Sequence, residues 1–442
     1  MRENREKHQN YKIGVSPRDV INGYNEDETG DIPDQPFRTK QSADDDHTKF
    51  PTIKTSIPEL ASLILFTGRG DRVVIKLDKE HPEVIIAATS IGLDDDSLVL
   101  CMNAQGGYTP LALAKMNPNI SFLMHEDNLL LRELAIRNIR TNYSINNALI
   151  LSDEVYKEIS TSESFSAVVY EPKSHHSMDL ITSQFVRAHE SLKIGGRLFV
   201  ITHTKRGASQ HMKLMQSVFG TEAFIESRGK GGFRVISISK NTSEAMYKPS
   251  VRGEVEFNIG GKNYRLETES SLFSAEGVDI GSRYLLEYVL GSSTEFDHLL
   301  DIGCGWGVIG LVAADQDIAK EVSLVDIDRR AIDVTADNIR HLQLEERVSA
   351  YHTAKVDSIP AQVDGVMTNP PFHKSYDELL DMFQRTRRVM KKGATGYAAI
   401  EATYLQKFFD ILKDVFGSVV EVDSRILDEK RQIRFSIVKF KR

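Results

Sequence analysis

The sequence predicts two consecutive α/β domains, each built on a mostly parallel sheet, behind a disordered polar tail. Three observations carry this reading. From about residue 55 onward, strand-like apolar runs alternate with segments of helical period, which is how βαβ units read in sequence. A polar stretch, "SKNTSEAMYKPSVRGE" (239–254), interrupts the alternation, which then begins again. The second half repeats the first nearly in register, the mark of an internal duplication.

Bulk properties are consistent with this division. A chain of 442 residues exceeds what a single hydrophobic core usually supports. The formal net charge of -8 argues mildly against a protein that coats nucleic acid by charge alone. It leaves room for local basic faces, for which "THTKRG" (202–207), "SRGKGGFR" (227–234) and "RTRRVMKK" (385–392) are the candidates. No run of 18 apolar residues occurs, and the start "MRENREKHQNYK" lacks a secretory apolar stretch. A cytoplasmic location without a membrane partner is therefore the expectation. Cys101 and Cys304 both fall in apolar strand-loop segments. They are expected to be packing residues, with neither a disulfide nor a metal site.

Taken in order, residues 1–50 carry Asp, Glu, Asn, Lys and Gln without apolar periodicity and are expected to be disordered. A first domain is placed at 51–242, where "SLVLC", "ISFLMHE", "AVVYEP" and "RLFVIT" read as strands and "DNLLLRELAIRNIR" as a helix. A second domain is placed at 250–442, with strands in "FDHLLDIG", "VSLVDID", "DGVMTNPPF" and "TGYAAIE". An offset of 200 puts Asp301 on Cys101, Gly307 on Gly107, Asp326 on Glu126 and Asn338 on Asn138. An offset of 198 puts "TNPPFH" (368–373) on "YEPKSH" (170–175), and Gly393 on Gly195.

The repeat makes two segments comparable. "HLLDIGCGWGVIG" (298–310) holds Gly303, Gly305, Gly307 and Gly310 between a strand and a helix, whereas "SLVLCMNAQGGYTP" (97–110) has Asn103, Gln105 and Pro110 at three of those positions. A glycine turn lets backbone approach a ligand, and the following helix offers unpaired N–H groups. Asp326 ends the next strand, 19 residues past Gly307, where a carboxylate can accept the hydroxyls of an adenosine ribose. Nicotinamide dinucleotides and S-adenosylmethionine both fit that pair. Asp301, just ahead of the turn, would repel a pyrophosphate but suits the ammonium of a methionine moiety. The tetrapeptide Asn369, Pro370, Pro371, Phe372 closes a later strand of this half. In it the Asn369 side-chain oxygen and the Pro370 carbonyl can accept hydrogen bonds from a planar exocyclic amine, the two prolines stiffen the loop, and Phe372 offers a ring on which a flipped base can stack.

Through "LFSAEGVDIGSRYLLEYVL" (272–290), "LLDIGCGWGVIGL" (299–311), "LVDID" (324–328) and "TNPPFH" (368–373), the second half resembles the "small" class I methyltransferase domain. The tandem order with a glycine-poor first copy resembles the bacterial ribosomal RNA guanine-N2-methyltransferases. The resemblance covers roughly 55–442 and implies two Rossmann-like class I domains, the first degenerate and concerned with RNA or with the fold. It implies S-adenosylmethionine contacts from Asp301, Gly303, Gly305, Gly307 and Asp326, and target contacts from Asn369, Pro370, Pro371 and Phe372. His373 is left open between a structural role and a base contact. Two departures stand out: Ala354 occupies the region where the family often meets the adenine amine, leaving Asp357 as a weak substitute, and the acidic tail lies outside the family pattern. The expected function is N2 methylation of a guanine in ribosomal RNA, with ribosomal RNA or a ribosomal subunit as partner and a monomeric chain. Adenine N6, a protein glutamine, and a non-catalytic RNA-binding assembly role stay open as alternatives.

Overall fold

Two sheets share one strand order. In the first half, β1 (Thr52–Lys54) and β2 (Val74–Lys76) pair in parallel. They precede β3 (Leu98–Met102), β4 (Ser121–His125), β5 (Ala148–Ile150), β6 (Phe165–Tyr170), β7 (Leu192–His203), β8 (Phe224–Arg228) and β9 (Phe233–Ser239), which form a seven-stranded sheet in the order β5-β4-β3-β6-β7-β9-β8. In the second half, an antiparallel hairpin of β10 (Arg252–Ile259) and β11 (Lys262–Glu269) comes first. The second seven-stranded sheet then comprises β12 (Phe296–Ile302), β13 (Ala319–Asp326), β14 (Val348–His352), β15 (Val363–Thr368), β16 (Met390–Glu401), β17 (Ser418–Asp428) and β18 (Ile433–Lys441), in the order β14-β13-β12-β15-β16-β18-β17. In both sheets the first five strands of the order are parallel, and the sixth, β9 or β18, runs antiparallel to both its neighbours.

This computed structural model describes residues 52–66, 74–95, 97–172, 177–248, 252–270, 272–292, 294–360, 362–372 and 374–442. The tail expected at 1–50, Lys173, Ser174 and His373 lie outside the described residues. The chain divides into two compact units. One runs to residue 248 without 127–130 and 175–183, and the other holds those segments and 249–442. Among the described residues, no helix is long and apolar enough to cross a membrane, and no cluster of His, Cys, Asp and Glu could hold a metal ion. Both cysteines are free and buried, and burial pushes each thiol pKa up.

Each unit shows why its sequence folds this way. In the second, the apolar helix Val308–Asp315 is buried from Val308 to Ala314 against the sheet. The helix Arg329–His341 buries only Ala331, Ile332, Val334, Thr335, Asn338 and Ile339, the spacing of one face. The hairpin alternates exposed and buried residues with a period of two, its inward Val255, Phe257, Ile259, Tyr264 and Leu266 joining the core that also holds Trp306. A second core, on helices Tyr376–Val389 and Leu405–Phe416, includes Phe383, Phe408 and Phe440.

The duplication extends to buried polar anchors. Asn338 is fully buried; its Nδ2 donates to the Trp306 and Glu267 carbonyls at 3.0 and 2.9 Å while its Oδ1 accepts from Glu267 N at 2.7 Å. Asn138 repeats this, donating to the Gly106 carbonyl at 2.7 Å and accepting from Phe66 N at 2.7 Å. Each amide ties its turn after the first sheet strand to a segment some 70 residues away in the chain, satisfying backbone groups that burial would otherwise leave unpaired.

Candidate active site

The site of the second unit lies at the carboxyl ends of β12, β13 and β15. It is where the sheet order reverses direction about β12, with β13 on one side and β15 on the other. The turn after β12 is drawn onto β13: Gly303 N and Cys304 N both donate to the Val325 carbonyl, at 2.9 and 3.1 Å. Gly303, Gly305 and Gly307 take φ of 70°, 57° and 90°, the left-handed region that favours glycine. A Cβ on Gly305 would meet nothing within 4 Å, so the space beside it is open. Gly310 serves packing instead, since a Cβ there would come within 2.2 Å of Leu324 Cδ2 on β13.

Two carboxylates flank this turn. Asp326 Oδ2 accepts from Gly305 N at 3.0 Å and Oδ1 from Asp328 N at 2.9 Å. Each oxygen keeps a further lone pair for a hydroxyl donor. Burial pushes the Asp326 pKa up to about 6, against the opposing pull of those N–H groups. Asp301 is fully buried; Oδ2 accepts from Gly310 N at 3.0 Å, and Oδ1 has no partner among the described residues. Burial, with the Asp326 charge adding to it, lifts Asp301 to about 7 despite the Gly310 bond. A buried carboxylate with an unmatched oxygen has the donor set for a cationic group.

The loop after β15 brings in Asn369. Thr368 Oγ1 donates to the Ile302 carbonyl at 2.8 Å, holding the ends of β15 and β12 together. Asn369 Nδ2 donates to Asp279 Oδ2 at 2.6 Å and to Ser282 Oγ at 3.1 Å. Its Oδ1 is buried and unpartnered among the described residues. Pro370 is buried and Pro371 exposed. The loop is held further on by Lys407, whose Nζ donates to the Phe372 and Lys374 carbonyls at 3.4 and 2.5 Å. The structure therefore gathers Asp301, the three glycines, Asp326 and Asn369 around one end of one sheet.

Phe372 stands differently from a bare stacking platform. Its half-buried ring lies parallel to that of Tyr404, with centroids 5.3 Å apart and planes 5° apart, and meets the rings of Phe408 and Phe435 edge-on. Tyr404 stands three residues past the end of β16, and an aromatic just after a strand end was the signal that could have found it. Asp357, the weak substitute for an adenine contact, is engaged in ion pairs: it accepts from Arg388 Nη1 at 2.8 Å and Arg385 Nη1 at 3.1 Å. Burial would raise its pKa, but the two guanidiniums outweigh it and hold the carboxyl below its ordinary value. Those bonds also commit part of the 385–392 basic run to ion pairs within the unit.

The first unit keeps the turn and fills it. Asn103 and Gln105 hold φ of 56° and 49°, in the left-handed region like their glycine counterparts. Gln105 N donates to Glu126 Oε2 at 2.9 Å, the same bond that Gly305 makes with Asp326. The Gln105 side chain then reaches across to the Glu171 carbonyl, Nε2 to O at 3.0 Å, linking the turn to the counterpart of the Asn369 loop. The open space beside Gly305 is thus bridged by protein in the first copy. At the carboxyl end of β7 in this unit, pairing of β7 with β9 sets Thr202 opposite Arg234 and His203 opposite Phe233. It brings the runs 202–207 and 227–234 together at one sheet corner, where Lys205, Arg206, Arg228 and Lys230 are exposed.

A glycine turn with a following carboxylate, and a strand-end Asn-Pro-Pro-Phe loop beside it, define a class. The methyltransferase small domain family model matches residues 94–237 and 263–426, more than half of the chain, and the chain belongs to that family, with one match in each half. It is 28% identical over 192 residues to "Ribosomal RNA large subunit methyltransferase G" of Photobacterium profundum, an alignment covering 42% of this chain and 50% of that protein. The chain thus spans about half the length of this curated relative. Its fold is similar to that of the T. thermophilus 16S rRNA N2 methyltransferase RsmC, solved in complex with AdoMet and guanosine. The TM-score is 0.66 and the identity 20%, over 86% of this chain and 95% of that one.

Proposed function

We propose that the second domain, 250–442, methylates the exocyclic N2 amine of a guanine in ribosomal RNA, with S-adenosylmethionine as methyl donor, and that the first domain, 51–242, holds the RNA. The observation that carries this is the buried, unpartnered Oδ1 of Asn369 at the end of β15. A buried carbonyl with no internal donor, at the end of the strand that neighbours the one carrying the glycine turn, is an acceptor waiting for an N–H from outside. The two relatives' names support the substrate: one acts on large-subunit ribosomal RNA, the other on 16S rRNA at N2.

Fit to the cofactor rests on the orphaned Asp301 Oδ1, which suits an ammonium, on the remaining lone pairs of Asp326, which suit ribose hydroxyls, and on the open side of Gly305. When bound, the cofactor supplies an electrophilic methyl on a sulfonium. The chain's own groups do the rest. Asn369 Oδ1 and the Pro370 carbonyl accept the amine's hydrogens and so aim its nitrogen lone pair, and the Phe372 and Tyr404 rings form the aromatic wall for the base. No strong base is required, because the nitrogen loses its proton to solvent after it has been alkylated. The exposed cations at the β7–β9 corner suit RNA phosphates. A monomeric, cytoplasmic enzyme with one cofactor per chain goes with this reading.

Nucleoside mass spectrometry of ribosomal RNA treated with the protein tests it. N2-methylguanosine is expected from wild type and none from Asn369→Ala, which should still bind S-adenosylmethionine. N6-methyladenosine as product, or an Asn369→Ala variant as fast as wild type, would overturn the assignment.

A further inference from the structure

We infer that Asp279 and Ser282 are positioning residues that set which end of the Asn369 amide faces the target; this rests on the reading of Asn369 as acceptor of the substrate amine. An amide has two ends of similar shape and opposite polarity. Turned the wrong way, Asn369 would offer N–H groups to an amine that is itself a donor. A carboxylate can only accept, so the bond from Asn369 Nδ2 to Asp279 Oδ2, at 2.6 Å, fixes the nitrogen on that side and leaves Oδ1 on the other. Ser282 Oγ, 3.1 Å away, adds a second acceptor on the same side.

The holding group is itself held. Asp279 is the N-cap of the helix Ile280–Gly291, and the same Oδ2 accepts from Gly281 N at 2.9 Å and Ser282 N at 3.0 Å. A helix N-terminus therefore fixes the carboxylate, and the carboxylate fixes the amide. The stretch "VDIGS" (278–282) thereby acquires a role in orienting a residue 90 positions away.

The test uses the full chain, radiolabelled S-adenosylmethionine and ribosomal RNA from cells lacking the protein, with cofactor affinity measured separately by calorimetry. Asp279→Ser keeps an N-cap hydroxyl but cannot reach Asn369, whereas Asp279→Asn keeps both the cap and one oxygen in place. We expect Asp279→Ser to lower the single-turnover rate about 100-fold, the order of loss that a misplacement of roughly 1 Å brings, with cofactor affinity unchanged. Asp279→Asn should recover at least about tenfold of that loss, and Ser282→Ala should show a smaller loss in rate alone. A wild-type rate in Asp279→Ser overturns the inference, as does an Asp279→Asn variant no better than Asp279→Ser, or a parallel loss of cofactor binding. A wild-type rate in Asn369→Ala instead removes the underlying reading, so the two failures are distinct.

Discussion

Replacing Asp301 with Asn should stabilise the unliganded protein while weakening its hold on S-adenosylmethionine. Asn keeps an acceptor for Gly310 N–H and removes a charge that sits fully buried with one oxygen unmatched. The carboxyl is raised from its ordinary 3.8 to about 7, so the folded state binds the proton more tightly than the unfolded state does. Its ionised form thus costs nothing below about pH 4, costs progressively more as pH rises to about 7, and levels off above. At 1.36 kcal/mol per pH unit the full cost is about 4 kcal/mol. The new amide N–H takes the place of the unmatched oxygen and itself lacks a partner, returning about 1–3 kcal/mol of that gain. A net gain of about 1–3 kcal/mol at pH 8 corresponds to a rise of roughly 2–12 °C in the Tm of the second unit. Thermal melts of wild type and variant at pH 5 and pH 8 check this, and the advantage should shrink toward pH 5. Calorimetry should show at least about a tenfold loss of S-adenosylmethionine affinity, or about 1.4 kcal/mol. A variant that melts no higher than wild type at pH 8 and binds the cofactor equally well would refute the reasoning.

Gly310→Ala places a Cβ within 2.2 Å of Leu324 Cδ2. The overpacking should cost about 1–3 kcal/mol, read as a lower Tm together with weaker cofactor binding as the helix carries its turn off β13. Reversing Lys205, Arg206, Arg228 and Lys230 to Glu should lower affinity for ribosomal RNA and flatten its dependence on log salt by about 0.7–0.9 for each phosphate no longer neutralised, leaving cofactor affinity alone; an unchanged salt slope in a filter-binding titration counts against the corner as an RNA-binding surface. Calorimetric titration should give one S-adenosylmethionine site per chain, because Gln105 bridges the turn of the first copy; two equivalent sites would contradict this.

The sequence by itself determined the features that local chemistry dictates. Strand and helix periods gave the alternation, and near-register repetition gave two copies, which share one strand order in the structure. Positive-φ turns announced themselves through Gly303, Gly305 and Gly307. Asp326 was legible because its spacing from the turn is a property of the strand–turn–helix–strand unit. The hairpin β10–β11 was also within reach, since "IGGKNY" (259–264) puts two glycines between alternating runs, a common signal for a tight turn.

Tertiary structure decided everything that depends on residues far apart in sequence. Asp279 meets Asn369 across 90 positions, and nothing in either segment alone says that a helix cap will hold a loop amide. Tyr404 joins Phe372 because β16 and β15 are neighbours. Two separate basic runs become one corner only through the pairing of β7 with β9. Asp357 is engaged by Arg385 and Arg388 of the helix Tyr376–Val389, some 30 residues further along the chain. Sequence records backbone preference and periodicity, which act over a few residues. Which end of an amide stays free, and which carboxylate already has a cation, is settled by partners that only folding brings within hydrogen-bonding distance.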